Sequence, residues 1–61
     1  MEYKIIEMEK KPKKTTCSSG NWVVRMMIRY KDFPVINYFK FFWTKKDALA
    51  FINTVPETIN I

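Results

Sequence analysis

The sequence predicts an α+β fold in which a three-stranded antiparallel sheet packs on one C-terminal helix in two layers. Apolar residues take every even position over 22–30, which is the period of a strand with one buried face. The apolar residues of segment 45–55 follow the i, i+3, i+4, i+7 spacing of an amphipathic helix, and Pro56 ends it. One apolar sheet face and one apolar helix stripe form one core, so we predict a single small domain over 1–61.

Length, charge and composition narrow the class of protein. The 61 residues are 48% apolar and 16% aromatic, which indicates a packed core and excludes a disordered chain. A chain this short buries only about 60% of its unfolded surface, so we consider a homodimer or a bound partner as a further source of stability. The net charge of +5 favours an acidic partner, either nucleic acid or an acidic protein surface.

Three features indicate a cytoplasmic protein without a membrane partner. Cys17 is the only cysteine, which excludes an internal disulfide and fits a reducing compartment. No apolar run reaches the length needed to span a bilayer. The chain opens with alternating charged and apolar residues and not with a signal peptide, and we expect a freestanding small protein.

The first strand is predicted over residues 3–9 and a basic loop over residues 10–20. Ile5 and Ile6 fall on opposite faces, and this imperfect alternation among charged residues favours an edge strand. Pro, Ser, Thr and Gly residues are typical of a loop, and four lysines in five positions repel one another. Contact with phosphate groups and simple solubility explain this lysine cluster equally well. Its members are Lys10, Lys11, Lys13 and Lys14.

The second and third strands are predicted over residues 21–31 and 35–43, joined by a turn at 31–34. Asp and Pro in that segment are turn residues. A tight turn pairs Met26 with Phe39 and collects nearly all apolar partners on one face, which favours this register over its neighbours.

The start of the predicted helix combines a cap with a basic cluster. Thr44 and Asp47 have the spacing of a capping box. Lys45 and Lys46 then occupy the first turn, where the helix dipole already makes the site positive. Because lysines at a helix start do not stabilise the helix, we interpret the pair as part of a site for an anionic partner.

The hairpin face opposite the predicted core is the candidate binding surface. In the predicted register Arg25 lies opposite Lys40, and like charges in that position are destabilising unless an anion relieves them. Cations and aromatic residues on an open sheet suit DNA-groove entry or base stacking, and the same residue types suit a protein interface. A solvated strand face is the plainer alternative. The candidate binding residues are Arg25, Met27, Arg29, Lys31, Tyr38, Lys40, Phe42, Lys45 and Lys46.

The residue inventory argues against an enzyme. The chain has no histidine, which removes the commonest general base and metal ligand. A single cysteine excludes a thiolate zinc site, and a single glycine excludes a glycine-rich phosphate loop. The carboxylates are scattered along the chain. We therefore expect no catalytic residues, no cofactor and no metal.

Three motifs resemble the N-terminal arm-binding domain of tyrosine-recombinase integrases from mobile elements. They are Gly-Asn-Trp-Val-Val-Arg at 20–25, Ile-Arg-Tyr-Lys-Asp at 28–32 and Phe-Trp-Thr-Lys-Lys-Asp-Ala at 42–48, followed by Phe51, and they lie within about residues 20–52. The resemblance implies a three-stranded sheet packed on one helix, with the sheet face in the major groove of duplex DNA. The residues it would bring to the groove or to phosphates are Arg25, Arg29, Lys31 and Lys40.

The chain departs from that family's pattern in two places. Phe33-Pro34 follows Asp32 where Gly-Lys is usual, and the next strand is more aromatic than basic. A freestanding copy would serve as a DNA-binding accessory or regulatory protein of a mobile element or phage. The alternative is a phage-type inhibitor that covers an acidic or nucleic-acid-binding site on a host protein, because aromatic side chains on the sheet suit a protein hot spot.

Overall fold

A computed structural model describes residues 1–54 and 57–61 and contains, in that part of the chain, one antiparallel sheet and one helix. The α+β class is confirmed, and the predicted strand number of three is corrected to five within these residues. The predicted helix extended to Val55 with Pro56 as its stop, and both lie outside the described residues. The elements are β1 (Glu2–Met8), β2 (Lys13–Cys17), β3 (Gly20–Arg29), β4 (Ile36–Phe42), α1 (Lys45–Asn53) and β5 (Thr58–Asn60).

Strand β3 is the centre of the sheet because both of its edges are paired. β4 runs along one edge from residue 22 to residue 28. β1 pairs with residues 26–29 and β2 with residues 20–23, so these two strands follow one another along the other edge. β5 then pairs with the outer edge of β1. The strand with the clearest alternation in the sequence is thus the strand with the most partners.

The prediction that the first strand is an edge strand is wrong, because β1 lies between β3 and β5. Its imperfect alternation has a structural cause: the pairing with β3 shifts by one residue between Ile5 and Glu7. This bulge leaves Ile6 partly exposed while Ile5 and Met8 stay on the same face of the sheet.

The predicted loop over residues 10–20 contains strand β2, which is a correction. Lys13 pairs with Val23 and Lys14 with Trp22, and the irregular pairing resumes at Cys17 and Gly20. Threonine is favoured in strands. Lysine is common on edge strands, where its charge prevents further strands from pairing with the free edge. Of the four lysines that suggested a loop, Lys13 and Lys14 therefore lie on an outer strand, while Lys10 and Lys11 lie in the connection before it.

Gly20 is required where β2 turns into β3. It is buried and has φ +156, a conformation that side-chain-bearing residues rarely adopt. A Cβ atom at this position would lie 2.6 Å from the backbone carbonyl oxygen of Phe42. The single glycine of the chain thus permits close contact between the first residue of β3 and the last residue of β4.

The hairpin between β3 and β4 has a different register from the predicted one. The observed pairs run from Trp22 with Phe42 to Ile28 with Ile36, so each β3 residue faces the β4 residue one position earlier than predicted. The predicted tight turn is replaced by a six-residue connection, 30–35, in which the Phe33 amide donates to the Tyr30 carbonyl at 2.9 Å. Pro34 has no amide hydrogen and so does not extend the ladder.

Helix α1 covers one face of the sheet and contacts β3 and β4. Thr44 caps it, since the Asp47 amide donates to Thr44 Oγ1 at 3.1 Å, which confirms the predicted helix start. Thr54 Oγ1 donates to the Ala50 carbonyl at 2.7 Å at the other end. The buried apolar core is formed by Val24, Met26, Ile28 and Ala48.

Helix α1 has nine residues. Within the described part of the chain, no helix is long and apolar enough to cross a membrane.

Met26→Ala should be strongly destabilising, because Met26 is the largest of the fully buried side chains in the described part of the chain. We expect a loss of about 2–5 kcal/mol in the free energy of unfolding, measured by urea denaturation. Leu49→Ala is the matched control, since Leu49 is 37% exposed on α1 and should cost much less. Equal losses for the two variants would show that the buried face is wrongly assigned.

Gly20→Ala should destabilise the fold by about 1–3 kcal/mol, since the new methyl group meets backbone atoms of β4 and the φ angle is unfavourable. The exposed neighbour Asn21→Ala serves as control in the same denaturation experiment. A Gly20→Ala variant as stable as the control would contradict the close approach of β3 to β4.

Candidate functional site

The register of the hairpin assigns each side chain of β4 to one of two faces. Residues paired across antiparallel strands lie on the same face, so Tyr38 shares a face with Met26, and Phe42 with Trp22. We call this the helix face, because the Phe42 and Phe51 rings pack with their centroids 5.4 Å apart. The other face, which we call the open face, is not covered by a helix in the described part of the chain. Its β4 members are Asn37, Phe39 and Phe41.

The predicted binding surface is therefore corrected at three positions. Tyr38, Lys40 and Phe42 were expected on the open face, and all three lie on the helix face and are half-buried. The Lys40 ammonium lies 5.8 Å from the Phe42 ring and 5.7 Å from the Phe51 ring, so its stem crosses the aromatic contact between sheet and helix. The one-residue difference in register moved every side chain of β4 to the opposite face.

The predicted repulsion between Arg25 and Lys40 does not occur. Arg25 lies opposite Phe39, and its Nε atom forms an ion pair with Glu9 Oε1 at 2.9 Å. The Glu9 amide also donates to the Arg25 carbonyl at 3.0 Å. Arg25 is thus an open-face residue whose charge is paired with Glu9, the residue directly after β1.

The other predicted binding residues of the hairpin are dispersed. Met27 is half-buried on the open face, opposite Asn37. Arg29 lies on the same face opposite Lys4, at the end of β3 away from β2. Lys31 lies in the connection with φ +50, and its ammonium is 5.2 Å from the Tyr30 ring. These residues do not form one site with the lysines of the helix start.

Positive charge gathers at one end of the molecule. Seven lysines lie on β2 and the loop before it, on β4, and in the first turn of α1, and the only acid among these segments is Asp47. This group has a formal charge of +6, while the remaining four cations and five acids sum to −1. Nearly all of the net charge therefore belongs to one end, which we call the basic end: Lys10, Lys11, Lys13, Lys14, Lys40, Lys45 and Lys46.

Aromatic rings lie among the lysines of the basic end. Lys14 pairs with Trp22, and the Lys45 ammonium lies 5.6 Å from the Trp22 ring. On the open face, Lys13 lies across Val23 from Phe41. Such contacts between ammonium groups and rings are attractive and leave the charge accessible to an anion.

An exposed aromatic series occupies alternate positions at the end of β4 and was missed in the sequence. Phe39 is 50% exposed, Phe41 is half-buried, and Trp43, at the point where the chain leaves β4, is 61% exposed. We call these three residues the aromatic row. The signal was present as alternation at positions 39, 41 and 43, but the predicted register assigned those positions to the core.

A second exposed apolar cluster lies near the opposite end, beside the hairpin connection. The Tyr3 and Tyr30 ring centroids are 5.4 Å apart, and those of Tyr30 and Phe33 are 5.7 Å apart and nearly parallel. Met1 and Ile36 complete a shallow apolar hollow there. This hollow adjoins a part of the molecule with no excess of positive charge.

Removing the ion pair between Arg25 and Glu9 should be mildly destabilising, contrary to the stabilisation expected if Arg25 repelled Lys40. Both side chains are partly exposed, at 48% and 26%, so a double-mutant cycle of Arg25→Ala and Glu9→Ala should give a coupling of about 0.2–1 kcal/mol. Urea denaturation of the four proteins measures it. A zero coupling together with a stabilising Arg25→Ala would restore the predicted register.

Comparison with protein-family models, with curated proteins and with solved structures finds no match to this chain. The resemblance to the arm-binding domain of tyrosine-recombinase integrases therefore stays a hypothesis from the three motifs.

Proposed function

We propose that this protein binds nucleic acid through the basic end, as a small accessory or regulatory DNA-binding protein without a catalytic step. The single observation that carries the proposal is the charge separation: seven lysines and one acid lie at one end, while the rest of the chain is nearly neutral. The mobile-element or phage setting rests on the motif resemblance alone.

The basic end is well suited to a polyanion. Arg25 is held by Glu9, but no ion pair occupies the seven lysines in the described part of the chain. They are free to replace the counterions of a phosphate backbone, whose release drives binding at low salt. A small body of 33 × 22 × 17 Å with its charge at one end also orients itself in the field of the polymer before contact.

The salt dependence of binding should have a limited slope. If all seven lysines contact phosphates of duplex DNA, log K should fall with log salt with a slope no steeper than about −6, since each contact contributes about −0.9. A fluorescence anisotropy titration at several salt concentrations measures this slope. Absence of binding at about 50 mM salt would contradict the proposal.

The location of the site can be tested with two variants of equal charge. Lys13→Gln/Lys14→Gln removes two charges from the basic end, and Lys4→Gln/Lys31→Gln removes two from elsewhere. We expect the first variant to bind more weakly and to flatten the slope by about two units. The second should retain most of the affinity. Equal loss in both variants would mean that only the net charge matters.

A second candidate function is protein binding through the apolar hollow near Phe33. Phe33 is 61% exposed and stacks on Tyr30, and aromatic side chains are enriched at the cores of protein interfaces. This would correspond to an inhibitor that covers a site on a host protein. Capture of a protein from lysate that survives nuclease treatment and is lost in Phe33→Ala would favour it over nucleic-acid binding.

A further inference from the structure

We infer that the aromatic row stacks on unpaired bases, so that the nucleic acid bound is single-stranded. This inference rests on the proposed function and assigns its ligand class. The observation behind it is the position of Phe39 and Phe41 on the open face beside the basic end, with the exposed Trp43 directly after β4.

The aromatic row lies apart from the core. Phe39 is 50% and Trp43 61% exposed, whereas the fully buried side chains of the sheet, Val24, Met26 and Ile28, all lie on the helix face. Rings at every second position of a strand are about 6.8 Å apart. That is twice the rise of about 3.4 Å between stacked bases, so one base fits between neighbouring rings.

The charge around the aromatic row favours a single-stranded nucleic acid as its ligand. Lys13 lies on the open face one strand beyond Val23, at about 10 Å from the β4 backbone. Lys45 and Lys46 begin α1 two and three residues after Trp43. Single-strand binding without sequence preference has two components. Aromatic rings stack on the bases, and lysines on either side of the rings contact the phosphates. A second copy of this chain is disfavoured as the ligand, because it carries the same net charge of +5 and would be repelled.

Duplex DNA uses the aromatic row poorly. Its bases are already paired and stacked, so exposed rings on the sheet would meet sugars and phosphates in place of base faces. Single-stranded DNA and RNA both offer free base faces, and the row recognises their shared chemistry. Parallel titrations with oligodeoxythymidylate and oligouridylate distinguish the two sources.

The test compares oligodeoxythymidylate of about 12 nucleotides with a duplex of the same length at about 50 mM salt. The wild-type protein should bind the single strand more tightly. Phe39→Ala and Trp43→Ala should each weaken single-strand binding by about 5- to 100-fold, the range of one lost base–ring stack. Circular dichroism on each variant checks that the fold is retained.

Matched controls come from exposed apolar residues outside the aromatic row. Ile36 lies on β4 but on the helix face and is 47% exposed, close to the 50% of Phe39. Phe33 is 61% exposed, as is Trp43. Ile36→Ala and Phe33→Ala should leave single-strand affinity nearly unchanged.

Three results would overturn the inference. Duplex binding at least as tight as single-strand binding, with Phe39→Ala and Trp43→Ala equal to their controls, would remove the stacking role and leave the proposed function standing through the lysine variants. No binding of either nucleic acid would overturn both. Self-association of the free protein that is lost in Phe39→Ala, with unchanged oligonucleotide binding, would assign the row to a second copy.

Discussion

The whole structure depends on the double pairing of β3. Its ten residues hydrogen-bond to β1 and β2 along one edge and to β4 along the other. The buried side chains Val24, Met26 and Ile28 all belong to this strand, and α1 adds Ala48 from above. A 61-residue chain has little apolar surface to bury, so one strand with partners on both edges and a helix on one face is an economical solution.

The pairing between β3 and β4 then decides what the surface presents. β4 has aromatic residues at consecutive positions, Phe41 and Phe42, so each of its faces carries rings whichever register forms. In the register that forms, Phe42 packs on Phe51 and Phe41 lies on the open face beside Val23. The same pairing separates Arg25 from Lys40, and Arg25 forms an ion pair with Glu9, the residue directly after β1.

The features that the sequence predicts well are those with a regular period. Alternation over β3 and the Thr44 cap of α1 identify a strand and a helix start, and both are confirmed. In β4 apolar residues occupy both sets of alternate positions, so the local pattern does not select between two registers one residue apart. The register that forms goes with the six-residue connection containing Pro34 and not with the tight turn that was predicted. β2 and β5 are short, polar strands that are stabilised by pairing with their neighbours, so their local sequence pattern does not identify them. The seven lysines of the candidate site could be identified from the sequence. Their separation from the acids and their closeness to the aromatic row could be recognised only from the strand pairing.

The central claim is that nucleic acid binds where the open face meets the basic end. Amide and indole chemical shifts of isotope-labelled protein, followed during titration with oligodeoxythymidylate, test it most directly, since they locate the ligand without changing the chain. We expect the largest shifts at Phe39, Phe41, the Trp43 indole and Lys13, with Tyr30 and Phe33 nearly unchanged. Largest shifts around Tyr30 and Phe33, or no shift that saturates at low salt, would contradict it.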